Sequence, residues 1–109
     1  MEATLITQRA GISELCRRFG ASRLEVFGSA ASGDFDAASS DDDFIAKFAA
    51  QPGVSMARRF LGFSDALEAL LGRKVDLMTD RPIDNPYLRA AVDATRETIH
   101  AEPMLDALV

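Results

Sequence analysis

FGSAASGDFDAASSDDDFIAKF, Phe27 to Phe48, joins two apolar runs through a polar loop. The first run (Leu24, Val26, Phe27) stops at Gly28-Ser29, and the second (Phe44, Ile45, Ala46, Phe48) begins directly after Asp41-Asp42-Asp43. Between them lie mostly Gly, Ser, Ala and Asp, residues that leave backbone exposed rather than packed. Small residues with accessible amide N–H groups suit phosphate oxygens. Alternating carboxylates suit a hard divalent cation. Phosphate and metal together are the chemistry this stretch points to.

The rest of the chain sets the bounds. At 109 residues it is long enough for one core and one domain, spanning residues 1–109. With 48% apolar and 27% charged residues it has the composition of a soluble globular protein. No apolar run approaches the roughly 20 residues that span a bilayer. The amino terminus, MEATLITQR, lacks a basic segment followed by an apolar one, so no secretory leader is expected. A single cysteine, Cys16, forms no internal disulfide and fits a reducing cytoplasm. A net charge of −5 argues against a long nucleic-acid grip, which needs a basic footprint, but is compatible with a small phosphate-bearing substrate bridged by cations.

Periodicity predicts the elements. Leu5, Ile12, Leu15, Cys16 and Phe19 recur at helical spacing and Gly20 ends that helix, with Cys16 as a buried small hydrophobe on its apolar face. Arg23–Phe27 and Asp42–Phe48 read as strands, and Gln51-Pro52-Gly53 as a turn. Met56, Phe60, Phe63, Leu67, Leu70 and Leu71 mark a second helix closed by Gly72, in which Gly62 costs about 1 kcal/mol relative to Ala. Lys74–Thr79 alternates as a third strand. Asn85-Pro86 starts a last helix whose stripe is Tyr87, Leu88, Ala91, Val92, Thr95 and Ile99, with His100 as a surface residue near its end. Arg58, Arg59, Arg73 and Lys74 are expected to be solvated. The expected fold is α/β (α+β), a small mixed β-sheet of three or more strands flanked by helices.

The chemistry gathers on aspartates. Residues two apart on a strand share a face, so Asp41 and Asp43 point together and Asp42 points away. Carboxylates that close repel, and a divalent ion removes the conflict while keeping positions open for water and phosphate. Asp76 stands among Val75, Leu77 and Met78, where an unpaired buried charge is costly, so a positive group is expected beside it. Taken singly, Ser39 to Asp43 also reads as a solvated loop or cap, and Asp76 as a partner of Arg73 or Lys74. The joint pattern is more specific: strand, Gly-Ser, spacer, Asp-x-Asp, strand, then a lone aspartate on a later strand.

Gly28-Ser29, eleven residues, Asp41-Asp42-Asp43 and Asp76 within GRKVDLMT resemble the DNA polymerase β-like nucleotidyltransferase superfamily. Within it the likeness is to the minimal nucleotidyltransferase (MNT) group, antitoxin type, and covers most of the chain. The resemblance implies a polymerase β-like fold and Mg²⁺-dependent transfer of a nucleoside monophosphate, AMP from ATP. It implies Asp41, Asp43 and Asp76 as catalytic ligands to two Mg²⁺ ions, and Gly28 and Ser29 as nucleotide-binding residues. It also implies a protein acceptor, a tyrosine of a HEPN-type toxin encoded alongside; the lack of a long apolar run leaves no membrane partner expected. Departures are visible. Where relatives often carry arginines after Gly-Ser, this chain has Ala30, Ala31 and Ser32; Asp34 and Asp36 add negative charge, and Lys47 stands where an acid is frequent. The alternative reading is a catalytically weak or inactive nucleotide-binding antitoxin that neutralises its partner stoichiometrically. The Met104-Leu105 and Leu108-Val109 tail is either an apolar docking surface or a frayed end.

Overall fold

A computed structural model of the chain describes residues 3–28, 42–79 and 85–102. Its elements follow the order α1 (Ala3–Thr7), α2 (Arg9–Phe19), β1 (Ala21–Phe27), β2 (Asp42–Phe48), α3 (Met56–Leu71), β3 (Val75–Thr79), α4 (Pro86–Thr95) and β4 (Glu97–Ala101). The four strands form one mixed sheet in the order β3-β2-β1-β4. β1 lies antiparallel to both β2 and β4, and β2 lies parallel to β3.

The sheet separates two apolar clusters of unequal size. Leu24, Val26, Phe44, Ala46, Val75 and Leu77 pack on one face against Ile12 and Cys16 of α2 and Phe63, Leu67 and Leu71 of α3. The alternate residues, Phe27, Ile45 and Met78, project from the other face and meet Val92 of α4. The main core is thus under α2 and α3, and α4 covers a smaller cluster opposite. Cys16 is fully buried, as expected, and burial pushes its thiol up to about 12. No helix among the described residues is long and apolar enough to cross a membrane.

Local signals placed most elements. Helices α2 and α3 end at Gly20 and Gly72, both with left-handed backbone. Asn85 caps α4 by accepting from the amides of Tyr87 and Leu88, with Pro86 in the first turn. Gly62 has a packing reason to sit inside α3: a Cβ there would lie 2.9 Å from the Phe19 ring of α2. The first helix departs from expectation by breaking at Gln8, although the bonds Gln8 N–H to Thr4 O and Ile12 N–H to Gln8 O carry the chain across at 2.9 Å each.

The largest correction is at the carboxyl end. The last helix stops at Thr95, and Glu97–Ala101 is a strand. Arg96 turns extended (φ −63°, ψ 135°), and the β-branched pair Thr98-Ile99 then lies along the edge of β1. Ile99 joins the main core from that strand, and the His100 side chain is only 9% exposed rather than on the surface. Sheet pairing overrode a helical spacing that Ile99 happened to continue. Tyr87 and Leu88 are accordingly exposed, as is Met56 on α3.

Among the described residues three charged ones are buried, and each is answered. Arg59, expected in solvent, donates to the carbonyls of Phe19 and Gly20 at 3.0 Å each and stacks 5.2 Å from the Phe48 ring centre. Glu25 accepts two bonds from Arg96 (2.7 and 2.8 Å) and one from Arg23 (3.1 Å). Asp42 accepts two from Arg73, Nε to Oδ2 at 2.6 Å and Nη2 to Oδ1 at 3.0 Å. Its own N–H reaches Lys74 O at 3.2 Å, so Asp42 ties the start of β2 to the approach of β3 twice over.

Two stability predictions follow from these pairs. Truncating Asp42→Ala leaves the largely buried Arg73 guanidinium without its carboxylate and lowers unfolding free energy by about 3–5 kcal/mol in urea titration; the double change Asp42→Leu with Arg73→Met recovers most of it. For Glu25, the Arg96 guanidinium holds the carboxyl below its ordinary value. A depressed folded value means the contribution is present above the unfolded value of about 4.3 and is lost as pH falls through the folded one. Urea midpoints of wild type and Glu25→Gln therefore converge as pH is lowered from 7 to 3.

Candidate active site

Three of the expected site residues converge on the sheet face opposite α2 and α3. Asp43 is the second residue of β2 and Asp76 the second of β3, and the two are register partners on parallel neighbours. Register partners in adjacent strands share a face, at a strand separation of about 4.8 Å. Gly28 follows the last residue of β1, and Phe27 is the antiparallel partner of Asp43. The ends of three strands therefore meet at one point.

Gly28 is there for two physical reasons. Its φ is +76°, a region that side chains with a Cβ rarely enter. A Cβ at that position would also stand 3.2 Å from Asp43 Oδ2. Its N–H donates to the hydroxyl of Thr95, at the end of α4, at 2.7 Å. That amide, expected as a phosphate donor, is thus committed within the fold. Nothing in the sequence pointed to Thr95 in this role, because it lies 67 residues away.

The Asp42 side chain faces the other way, as strand alternation required, and is fully buried with Arg73. Arg73 is therefore Asp42's partner rather than Asp76's. Asp76 is exposed, which corrects the expectation of a costly buried charge with a cation beside it: its carboxylate is hydrated and, among the described residues, makes no ion pair. Asp41 and Ser29, the remaining expected site residues, lie outside the described residues, as do Ala30 to Asp36 and the carboxyl-terminal tail. Arg59 and Arg73 serve the opposite side of the sheet. Arg58 and Lys74 are exposed.

The donor set suits a hard cation. Two carboxylates held in register repel unless a positive charge lies between them, and oxygen-only ligands with an exposed side favour Mg²⁺, which keeps water and phosphate in its remaining positions. Among the described residues no cluster of three or more acidic, His or Cys ligands forms, and the third expected carboxylate, Asp41, lies outside them. Chemically, the place can hold a phosphate chain through cations, with an exposed carboxylate beside it.

Residues 9–99 match the model of the nucleotidyltransferase domain family. A solved structure assigned as a minimal nucleotidyltransferase is 35% identical, with 89% of this chain and 95% of that chain covered and a TM-score of 0.68. A chain of a toxin–antitoxin complex crystallised with AMP-PNP shares the fold at 20% identity (92% and 78% covered, TM-score 0.65). So does a chain from a complex of an MNT antitoxin with a tri-AMPylated HEPN toxin of Shewanella oneidensis, at 18% identity (95% and 78% covered, TM-score 0.61). No match was found among curated proteins. The match over residues 9–99 and the 35% identical structure show that the chain belongs to the nucleotidyltransferase family, of the minimal type.

Proposed function

We propose that this domain transfers AMP from ATP to a hydroxyl of a protein acceptor, and that the acceptor is a HEPN-type toxin whose antitoxin it is. The observation that carries the reading is the in-register pair Asp43 and Asp76 beside the side-chain-free Gly28. The toxin–antitoxin complexes that share the fold, one crystallised with AMP-PNP and one holding an AMPylated HEPN toxin, support the choice of nucleotide and partner.

Asp43 and Asp76, with Asp41 as the third ligand, would hold Mg²⁺. When bound, two such ions neutralise charge on the entering and leaving oxygens of an in-line displacement. Gly28 leaves space next to Asp43 for a phosphate oxygen, and Ser29 donates its hydroxyl to the triphosphate. Asp76 faces solvent, where an acceptor protein can present a hydroxyl to it. The hydroxyl oxygen bonds to the α-phosphorus, the bond from that phosphorus to the pyrophosphate oxygen breaks, and the hydroxyl proton passes to the Asp76 carboxylate. Pyrophosphate leaves.

A second reading has a specific observation in its favour. The Gly28 amide is spent on Thr95, and alanines and a serine stand where loop arginines would grip phosphate. On this reading the domain binds nucleotide and neutralises its partner without turnover.

Incubation with labelled ATP, Mg²⁺ and the cognate toxin separates the two. The enzyme reading expects label on the toxin, reduced at least about 100-fold by Asp43→Asn or Asp76→Asn. Because Asp76 is exposed, the second variant should unfold within about 0.5 kcal/mol of wild type. A wild-type complex that forms without any label on the toxin supports the binding reading and removes the catalytic one.

A further inference from the structure

We propose that Thr95 is a positioning residue for the nucleotide site: its hydroxyl holds the Gly28 bend against the Asp43 carboxylate and so sets the affinity for Mg·ATP. The inference rests on the nucleotide-transfer reading above and deepens it.

Gly28 is the residue type with the widest backbone freedom, and it stands beside the Asp43 carboxylate. Glycine populates positive and negative φ about equally, so β1 by itself does not determine how the chain leaves Phe27. Pairing of Phe27 with Asp43 fixes the bend on one side. On the other side, the short bond from Gly28 N–H to Thr95 Oγ1, at 2.7 Å, fixes its direction. The separation of 3.2 Å between a Cβ built on Gly28 and Asp43 Oδ2 measures how closely that bend is held to the carboxylate.

Thr95 is itself held on both sides. Three residues before it, Val92 is fully buried against Phe27 and Ile45. Directly after it, Arg96 grips Glu25 of β1 with two bonds, and β4 then pairs along β1. Both anchors end on the strand that leads into Gly28. A hydroxyl fixed this way imposes its position on the bend rather than following it. Since the amide goes to Thr95, its contribution to the nucleotide is orientation of the bend, and binding falls to the groups around it.

The test measures Mg²⁺-dependent binding of the nonhydrolysable analogue AMP-PNP by calorimetry, with KM and kcat for AMP transfer and urea midpoints alongside. Thr95→Val keeps the shape and removes the hydroxyl; it should raise Kd and KM about fivefold, the size expected for one hydrogen bond, with a smaller change in kcat. Thr95→Ser restores the hydroxyl and should bind within about twofold of wild type. Phe63→Leu loosens the core under the other face, where Phe63 packs on Phe48 at the far end of β2 from Asp43, and should lower the urea midpoint while leaving Kd within about twofold. Unchanged binding in Thr95→Val overturns the proposal, as does an equal loss in Thr95→Ser or in Phe63→Leu. If wild type binds AMP-PNP and Thr95→Val binds equally well, only the role of Thr95 falls. If wild type binds none, the nucleotide reading falls with it.

Discussion

The bidentate bond between Asp42 and Arg73 is the constraint on which the site depends. A strand has a side-chain period of two, so slipping β2 against β3 by one residue would turn either Asp43 or Asp76 to the wrong face. Burial of Phe44, Ala46, Val75 and Leu77 on one face already resists such a slip. The buried carboxylate of Asp42 does not tolerate it: away from Arg73 it would be a charge in an apolar core. Cost in the core thus enforces register at the surface, and register brings two carboxylates together on the far side.

The division of the sheet into two faces follows the same logic. The face under α2 and α3 carries the larger apolar cluster, and two buried charges on it have specific partners, Arg59 at the carbonyls that end α2 and Asp42 at Arg73. That face is a platform. Among the described residues, the apolar cluster on the other face is Phe27, Ile45 and Met78 with Val92 against them, and Asp43 and Asp76 share that face. Like charges side by side are unfavourable without a positive group between them.

Placing carboxylates at adjoining strand ends also gives them a geometry that loops could not. Each side chain stands on a backbone fixed by sheet hydrogen bonds, and that of Asp76 is exposed. Gly28 completes the arrangement by omission, since any side chain there would crowd the Asp43 oxygen. Its bend is supplied from the last helix through Thr95, so the site draws on both ends of the chain's topology.

Much of this was written in local signals. Strand β2 and helix α3 ran as their periodicity required, Gly20, Gly72 and Asn85 marked the helix ends, and Asp43 and Asp76 were recognisable as polar residues out of place in strands. Such features are legible because their cause is local: side-chain period, capping and backbone freedom act within a few residues. What only the tertiary structure decided has distant causes. Glu97–Ala101 became a strand because β1 had an open edge, although Ile99 continued a helical spacing. Arg59 and Arg73, ordinary surface residues by type, are buried because carbonyls and a carboxylate 31 to 40 residues away needed donors. Thr95 meets Gly28 only because α4 folds back over the sheet. A sequence states which groups are available; which of them answer each other depends on the space that the assembled sheet leaves between them.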